Sequence, residues 1–287
     1  MDGVVVVLKP PGMSSNDVVV DIRRLFDLKR VGHTGTLDPA ASGVLPVCVG
    51  RATRLFDYLV DKRKKYIYEI CFGASTDTQD ATGRVCESSD GVVTREMVES
   101  LLPKLRGRVM QTVPMYSALK YNGQKLYDIA LAGKSAPEKR REIDLFSHEL
   151  IETTGRNRFL LRVECSRGTY VRTLCDDMGR YAGVPAHMSF LLRESSGDFD
   201  LDEAYSIAEL AEMKKSGSLI SSLISCEHAL SSLPKIVLGN DRLTPTKNGL
   251  GTTVRADDGA YRCYACGSFL GVARVNENNL KLEVHLY

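Results

Sequence analysis

No stretch of this 287-residue chain stays apolar for the roughly 18 residues that a membrane-crossing helix needs. Val4 to Leu8 is apolar but only strand length. The start of the chain lacks a basic region and a small-residue cleavage site, so no secretory leader and no membrane association are expected. Eight cysteines, at 48, 71, 86, 165, 175, 226, 263 and 266, lack the spacing of a disulfide framework. Reduced thiols and a cytoplasmic location are therefore expected. Cys263-Tyr264-Ala265-Cys266 is a single CxxC. A zinc site needs four ligands and no second pair is present, so no metal is expected. No Gly-x-Gly-x-x-Gly sits between a strand and a helix, and no glycine-rich loop ends in Gly-Lys-Ser/Thr, which argues against dinucleotide and P-loop chemistry. An excess of one charge is missing too: 38 basic against 36 acidic residues leave a net +2.

What is present is a core-forming composition, 43% hydrophobic, in a chain long enough for one large domain and a small one. Val4 to Leu8 reads as a buried strand ended by the Lys9-Pro10-Pro11-Gly12 turn. Ser14, Ser15 or Asn16 then caps a helix whose inner face is Val18, Ile22, Leu25 and Phe26. Helices are expected over Arg51–Asp61, after Thr94 (with Gly107 just past the end), over Gln124–Ala132 closed by Gly133, and over Thr169–Tyr181. One or two more fall within 202–230. Strands are expected at Tyr66–Phe72 and Phe159–Val163. Ser75–Gly83 reads as a loop, because its Asp77 and Asp80 lack calcium-loop spacing. From about Leu233, short β-prone pieces alternate with Gly, Asn and Asp turns, the texture of a small all-β module. The fold class is therefore α+β, not a doubly wound sheet. The basic runs Lys62–Lys65 and Lys134–Arg141 suit either phosphate tracking or a solvated surface.

The most informative stretch is Gly32-His33-Thr34-Gly35-Thr36-Leu37-Asp38-Pro39-Ala40-Ala41-Ser42-Gly43-Val44-Leu45. It sets one imidazole and one carboxylate in a Gly- and Thr-rich loop. Pro39 biases Asp38 toward an extended conformation. Such a loop can present a nucleophilic carboxylate at a pocket rim, although a lone carboxylate in a turn is more commonly a turn or cap residue.

This loop resembles the catalytic motif of the TruB family of pseudouridine synthases. Lys9-Pro10-Pro11-Gly12-Met13-Ser14-Ser15, Lys64-Lys65-Tyr66, Gln111 to Lys120, Cys165 to Thr173 and Ala186 to Arg193 are similar to that family's other motifs, in the same order. The resemblance implies a mixed-sheet catalytic domain over residues 1–232 and a PUA-like RNA-binding module over 233–287. It implies isomerisation of uridine to pseudouridine in the T-loop of tRNA, at position 55, with no metal or organic cofactor. It implies that Asp38 is the catalytic nucleophile. His33 would fill the vacancy left by a flipped base, and Tyr66 would stack on that base. Tyr170 would contact base or sugar, Arg172 would pair with Asp38, and Leu191 would wall the pocket. Lys9 and Pro10 would support the loop. The T-arm is the expected partner, with the acceptor stem reached through Lys247, Arg255, Arg262 and Arg274. A monomer with no obligate protein partner is expected.

Plainer readings stand beside these. His33 could be a loop hydrogen-bonding residue, Tyr66 a half-buried strand residue, Leu191 simple core, and the C-terminal module a structural cap. Arg172 could pair with Asp176 one helical turn on. The family pattern carries two adjacent arginines after the position of Leu191, where this chain has Leu192-Arg193, so an RNA contact would be missing or replaced. A guide-RNA-dependent enzyme and a tRNA-binding folding factor with a vestigial site are the rival functions.

Overall fold

Gly3–Lys9 (β1) is built around four successive valines buried on both faces. Alternate residues of a strand point to opposite sides, so Val4 and Val6 enter one core and Val5 and Val7 another. In the computed structural model every residue is described except Asp61, Ala118 and Ser135 and the side chain of Lys125. The expected last residue of the Arg51–Asp61 helix and one position each of the Gln111–Lys120 and Lys134–Arg141 segments thus lie outside the described residues. Ser15–Phe26 (α1) follows β1. Ser14 caps it, accepting from Asp17 N–H while the Asp17 carboxylate accepts from Ser14 N–H. Val18, Val19, Ile22 and Phe26 pack α1 onto Val5 and Val7.

Ser42–Val49 (β3) runs antiparallel to β1. Its other edge is shared. Val31–His33 (β2) pairs with residues 47 to 49, and Ala186–Ser196 (β8) pairs in parallel at Ser42 and Gly43. The loop from Thr34 to Ala41 emerges at the gap between them. The main sheet continues through Lys64–Phe72 (β4), Gly107–Thr112 (β5), Arg140–Gly155 (β6) and Arg158–Cys165 (β7), with Phe199–Asp200 (β9) at the end of β8. Its order is β1-β3-β8-β4-β7-β6-β5, with β2 beside β3 and β9 beside β8. Among the described residues of this sheet only the β3–β8 strand pairing is parallel. Along β4, Tyr66, Tyr68, Ile70 and Phe72 face one side. There they meet Val171, Leu174, Cys175 and Met178 of the helix Val171–Ala182. The α+β expectation holds.

Several local expectations change. The segment after Val49 is a 3₁₀ turn over Gly50–Leu55 followed by a short helix, Phe56–Val60. Residues 75 to 83 are not simply a loop. Ala74–Thr76 and Val85–Ser88 form a hairpin. In its turn, the Asp80 carboxylate accepts hydrogen bonds from the Thr78 and Thr82 hydroxyls. Thr94 does cap Arg95–Leu101, and the chain continues as a 3₁₀ turn to Leu105; Gly107, with φ +76°, lies just past that end as expected and also opens β5. The helix expected from Gln124 begins at Leu126, because Gln124–Lys125 pairs with Lys120–Tyr121.

Lys235–Leu238 (β10), Thr252–Thr253 (β11), Gly259–Ala265 (β12), Ser268–Asn276 (β13) and Asn279–His285 (β14) form a second sheet, ordered β10-β12-β13-β14-β11. It has its own core around Leu238, Cys263, Leu270 and Leu280. Its other side is continuous with the main body: Val272, Phe269 and Val284 pack with Val4, Val6 and Val44. Among the described residues no helix is long and apolar enough to cross a membrane.

The β3–β8 seam depends on Gly43, whose φ is +114°. A Cβ there would stand 2.3 Å from the Arg193 carbonyl oxygen and 2.6 Å from its nitrogen. Backbone on both sides leaves little room to yield. Gly43→Ala should therefore cost about 3 kcal/mol or more of folding stability. Ser14→Ala, which removes only a cap, should cost about 1 kcal/mol. Denaturant unfolding of the two variants checks the contrast.

Candidate active site

Asp38 sits in a turn that its sequence dictates. Its carbonyl accepts from Ala41 N–H at 3.0 Å, with Pro39 at the second turn position, where its fixed φ is favourable. The N-terminal turn clasps this loop from one side. Ser15 Oγ accepts from Leu37 N–H and donates to Leu37 O, and Gly12 N–H donates to Pro39 O. Lys9 is fully buried and its ammonium donates to the carbonyls of Pro10, Met13 and Pro39. Lys9 and Pro10 thus lie beneath the loop and not in the cavity. From the other side, Arg193 donates through Nε to Val44 O at 2.7 Å, and its terminal nitrogens reach Thr36 O and Gly35 O.

The loop borders a cavity of about 320 Å³. Its walls include His33, Asp38, Tyr66, Tyr170, Arg172 and Leu191, all six residues expected at the site. They come from β2, the loop, β4, the start of the Val171–Ala182 helix and β8. Arg172 is 4% exposed, and its Nε lies 2.9 Å from Asp38 Oδ2. The Nε–H does not point along that line. The contact is therefore an ion pair, with no linear hydrogen bond. The alternative pairing with Asp176 does not occur, because Asp176 pairs with Arg180.

The remaining Arg172 donors hold its fork in place. One terminal nitrogen donates to Thr78 O and the other to Tyr116 O, each at 2.9 Å, and Asp80 Oδ2 stands 3.8 Å away. Asp80, 7% exposed, is thus a second carboxylate facing the same guanidinium. As a sequence feature it invited only a calcium-loop reading. Among the described residues no His, Cys, Asp and Glu group could hold a metal ion.

Tyr66 is 7% exposed, and burial pushes its hydroxyl pKa up while the neighbouring Arg193 charge works the other way. His33 Nδ1 accepts from Gly35 N–H at 3.2 Å, which leaves the proton on Nε2. Burial, and then the Arg193 charge, lower its pKa, so the ring at the cavity is neutral at pH 7. The loop hydrogen-bonding role and the cavity position therefore coexist. Leu191 likewise belongs to both the main core and the wall.

Tyr170 precedes the Val171–Ala182 helix. Its N–H donates to Gln111 Oε1 and its carbonyl accepts from Gln111 Nε2. Arg141 lies over its ring at 5.3 Å and donates to Gly168 O. Gln111 and Arg141 were not singled out as site residues. The first basic run splits by strand periodicity: Lys64 is buried and lines the cavity, while Arg63 and Lys65 are exposed. Cys263 lies in the second core while Cys266 is exposed at a turn, its thiol donating to Asn240 O. Of the four C-terminal basic residues, Arg274 pairs with Glu283, Arg262 donates to Leu233 O and Lys247 lies over Tyr287. Arg255 is exposed.

A carboxylate and an arginine are thus paired at a cavity beside the central strands of an α+β sheet. A chain of an H/ACA RNP bound to a substrate RNA containing 2'-deoxyuridine shares this fold, with a TM-score of 0.75 at 21% identity, covering 99% of this chain and 85% of that one. Residues 23–171 match the TruB family pseudouridylate synthase N-terminal domain, and residues 172–231 match the tRNA pseudouridylate synthase B C-terminal domain. The chain is 38% identical over 295 residues to tRNA pseudouridine synthase B of Clostridioides difficile (strain 630), covering 99% of this chain and 98% of that protein. It is 44% identical over 257 residues to the Bacillus cytotoxicus protein of that name, covering 87% and 84%. This chain belongs to the TruB family.

Lys9 provides a test of the loop clamp. Burial lowers its pKa from 10.5 to about 8, against the opposing pull of Asp38. Between these values the unfolded chain binds more protons than the folded one, so this group makes stability rise with pH from about 8 toward 10.5. Lys9→Met removes that contribution. Unfolding free energies of the two proteins, measured across this window, should therefore differ in slope, with wild type the steeper.

Proposed function

We propose that this enzyme converts uridine to pseudouridine at position 55 in the T-loop of tRNA, alone and without a guide RNA or cofactor. The observation that carries the reading is the Asp38–Arg172 ion pair at a cavity walled by Tyr66 and Leu191. The reaction breaks an N-glycosidic bond, turns the base and rebuilds the link through carbon. A base stacked in a folded loop is out of reach, so the uridine is extruded into the cavity. His33, neutral and at the cavity wall, fills the space left in the loop. Tyr66 stacks on the extruded base, Tyr170 contacts base or sugar, and Leu191 excludes water.

Arg172 holds and aims the Asp38 carboxylate. Attack on the sugar, addition to the base and assistance of a glycal route all use that carboxylate. The ion pair, in place of a helix-surface pair with Asp176, favours a competent enzyme over a vestigial RNA-binding protein. The relatives at 38% and 44% identity are named as tRNA enzymes, which favours stand-alone action. We assign residues 1–232 to the catalytic domain and 233–287 to a PUA-like module. Arg255, exposed and, among the described residues, without bonds like those that occupy Arg262 and Arg274, is its foremost contact to the acceptor stem. The enzyme acts as a cytoplasmic monomer with no obligate protein partner.

Purified protein and an unmodified T-arm transcript test this directly. Wild type should form pseudouridine, detected by a mass-shift label, with no other macromolecule present. Asp38→Asn keeps shape and loses charge, so it should fall by about 10³-fold or more while still binding RNA. Activity that appears only after a guide RNA is added, or an Asn variant as active as wild type, overturns the proposal.

A further inference from the structure

Arg193 is the bulkiest of the fully buried side chains, 1% exposed. Its burial removes it from any phosphate. In β8 it stands opposite Tyr66 of β4 and Gly43 of β3. Its guanidinium occupies the gap where the Asp38 loop leaves the sheet. The hydrogen-bond acceptors there are the backbone carbonyls of Gly35, Thr36 and Val44. Among the described residues no carboxylate forms an ion pair with it. Arg172 differs, with Asp38 and Asp80 beside it.

Carbonyl dipoles satisfy hydrogen bonds but leave a full positive charge in place. A buried cation without a counter-charge is costly. Burial pulls the Arg193 pKa down, yet an arginine remains protonated at neutral pH. Its field reaches the cavity: it lines the same wall as Asp38 and Leu191, faces the Tyr66 hydroxyl, and lowers the His33 pKa. The cavity is thus electrostatically prepared for negative charge beyond that of Asp38, which Arg172 already offsets.

The proposed reaction supplies that charge, and this inference rests on that reading. When the C1′–N1 bond breaks, its electron pair leaves with the base, and the uracil ring carries the charge over N1, O2 and O4. If Asp38 adds to C6 first, a pair moves onto the ring toward O4, again giving a ring anion. The charge disappears when C5 bonds to C1′; the C5 proton is then lost and N1 takes one up, which gives neutral pseudouridine. We propose that Arg193 is the buried counter-cation for this uracil anion, acting from behind Tyr66 as a positioning residue that does not touch the substrate. Fixed positive charge aimed at developing negative charge in a dry site is among the strongest sources of rate enhancement.

The test compares wild type, Arg193→Lys and Arg193→Met on T-arm transcripts carrying uridine or 5-fluorouridine at the target. Fluorine withdraws electrons and stabilises the ring anion on its own. With uridine, Arg193→Met should lose on the order of 10²-fold in single-turnover rate while RNA affinity stays within about threefold, and Arg193→Lys should lose less. With 5-fluorouridine, followed as disappearance of the starting nucleotide, the Arg193→Met loss should shrink by about tenfold.

Equal losses on the two substrates would mean that Arg193 only props the loop, and would overturn the proposal. A loss confined to affinity would also overturn it. If Arg193→Met does not melt cooperatively, Arg193→Gln, which keeps a donor for one carbonyl and removes the charge, carries the same comparison. A wild-type protein that makes no pseudouridine overturns the functional reading itself. That outcome is distinct from any difference among the variants.

Discussion

The arrangement depends on two buried cations gripping one loop. Lys9 holds the carbonyls of Pro39, Met13 and Pro10, and Arg193 holds those of Gly35, Thr36 and Val44. Neither forms an ion pair among the described residues. Carbonyl recognition fixes the backbone while leaving both charges standing. Between the two clamps, Asp38 projects to a third cation, Arg172, which does meet its carboxylate. Oriented backbone and unbalanced charge cost stability, but they leave the cavity wall electrostatically prepared.

The sheet makes this geometry possible. β3 pairs fully with β1 on one edge, but its other edge is divided between β2 and β8. The division leaves a gap wide enough for the Asp38 loop to exit and for a guanidinium to replace the absent strand. On the neighbouring strand β4, strict alternation puts Tyr66 on the cavity side with Tyr68, Ile70 and Phe72 behind it. The helix bearing Arg172 packs on that same face. Ordinary core packing therefore also sets where the functional side chains point.

Much of this was legible in the sequence because local chemistry and tertiary need agreed. The valine run, the Ser14 and Thr94 caps and the Asp38-Pro39 turn each carry their own signal. The collinear motifs supplied the grouping of Asp38, Arg172, Tyr66 and Leu191, which no periodicity implies. β6 was missed because its sequence interleaves charges and its register shifts at bulges, so no clean alternation survives. Asp80 looked like a turn residue, which it is. Its second neighbour, Arg172, lies 92 positions away in sequence and is visible only in three dimensions. The burial of Arg193 has no sequence signal, because only the gap beside β3 gives a charged residue a place inside. The side of the C-terminal sheet that shares a core with β1 is likewise invisible in a strand-by-strand reading.

The parallel seam between β3 and β8 also orders events during synthesis. Val44 and Arg193 are separated by 149 positions, yet their contact closes the gap through which the Asp38 loop emerges. A chain made from its N-terminus can pair β1 with β3 early, since those strands are local. The loop then waits, held only from the side of Lys9, Gly12 and Ser15, until the ribosome has released the segment through Ser196. At chain-elongation rates of roughly 5–20 residues per second this interval lasts on the order of ten seconds or more. During it the nascent chain carries Asp38 but lacks the walls that Arg172 and Leu191 supply, so the cavity is completed only when the seam closes.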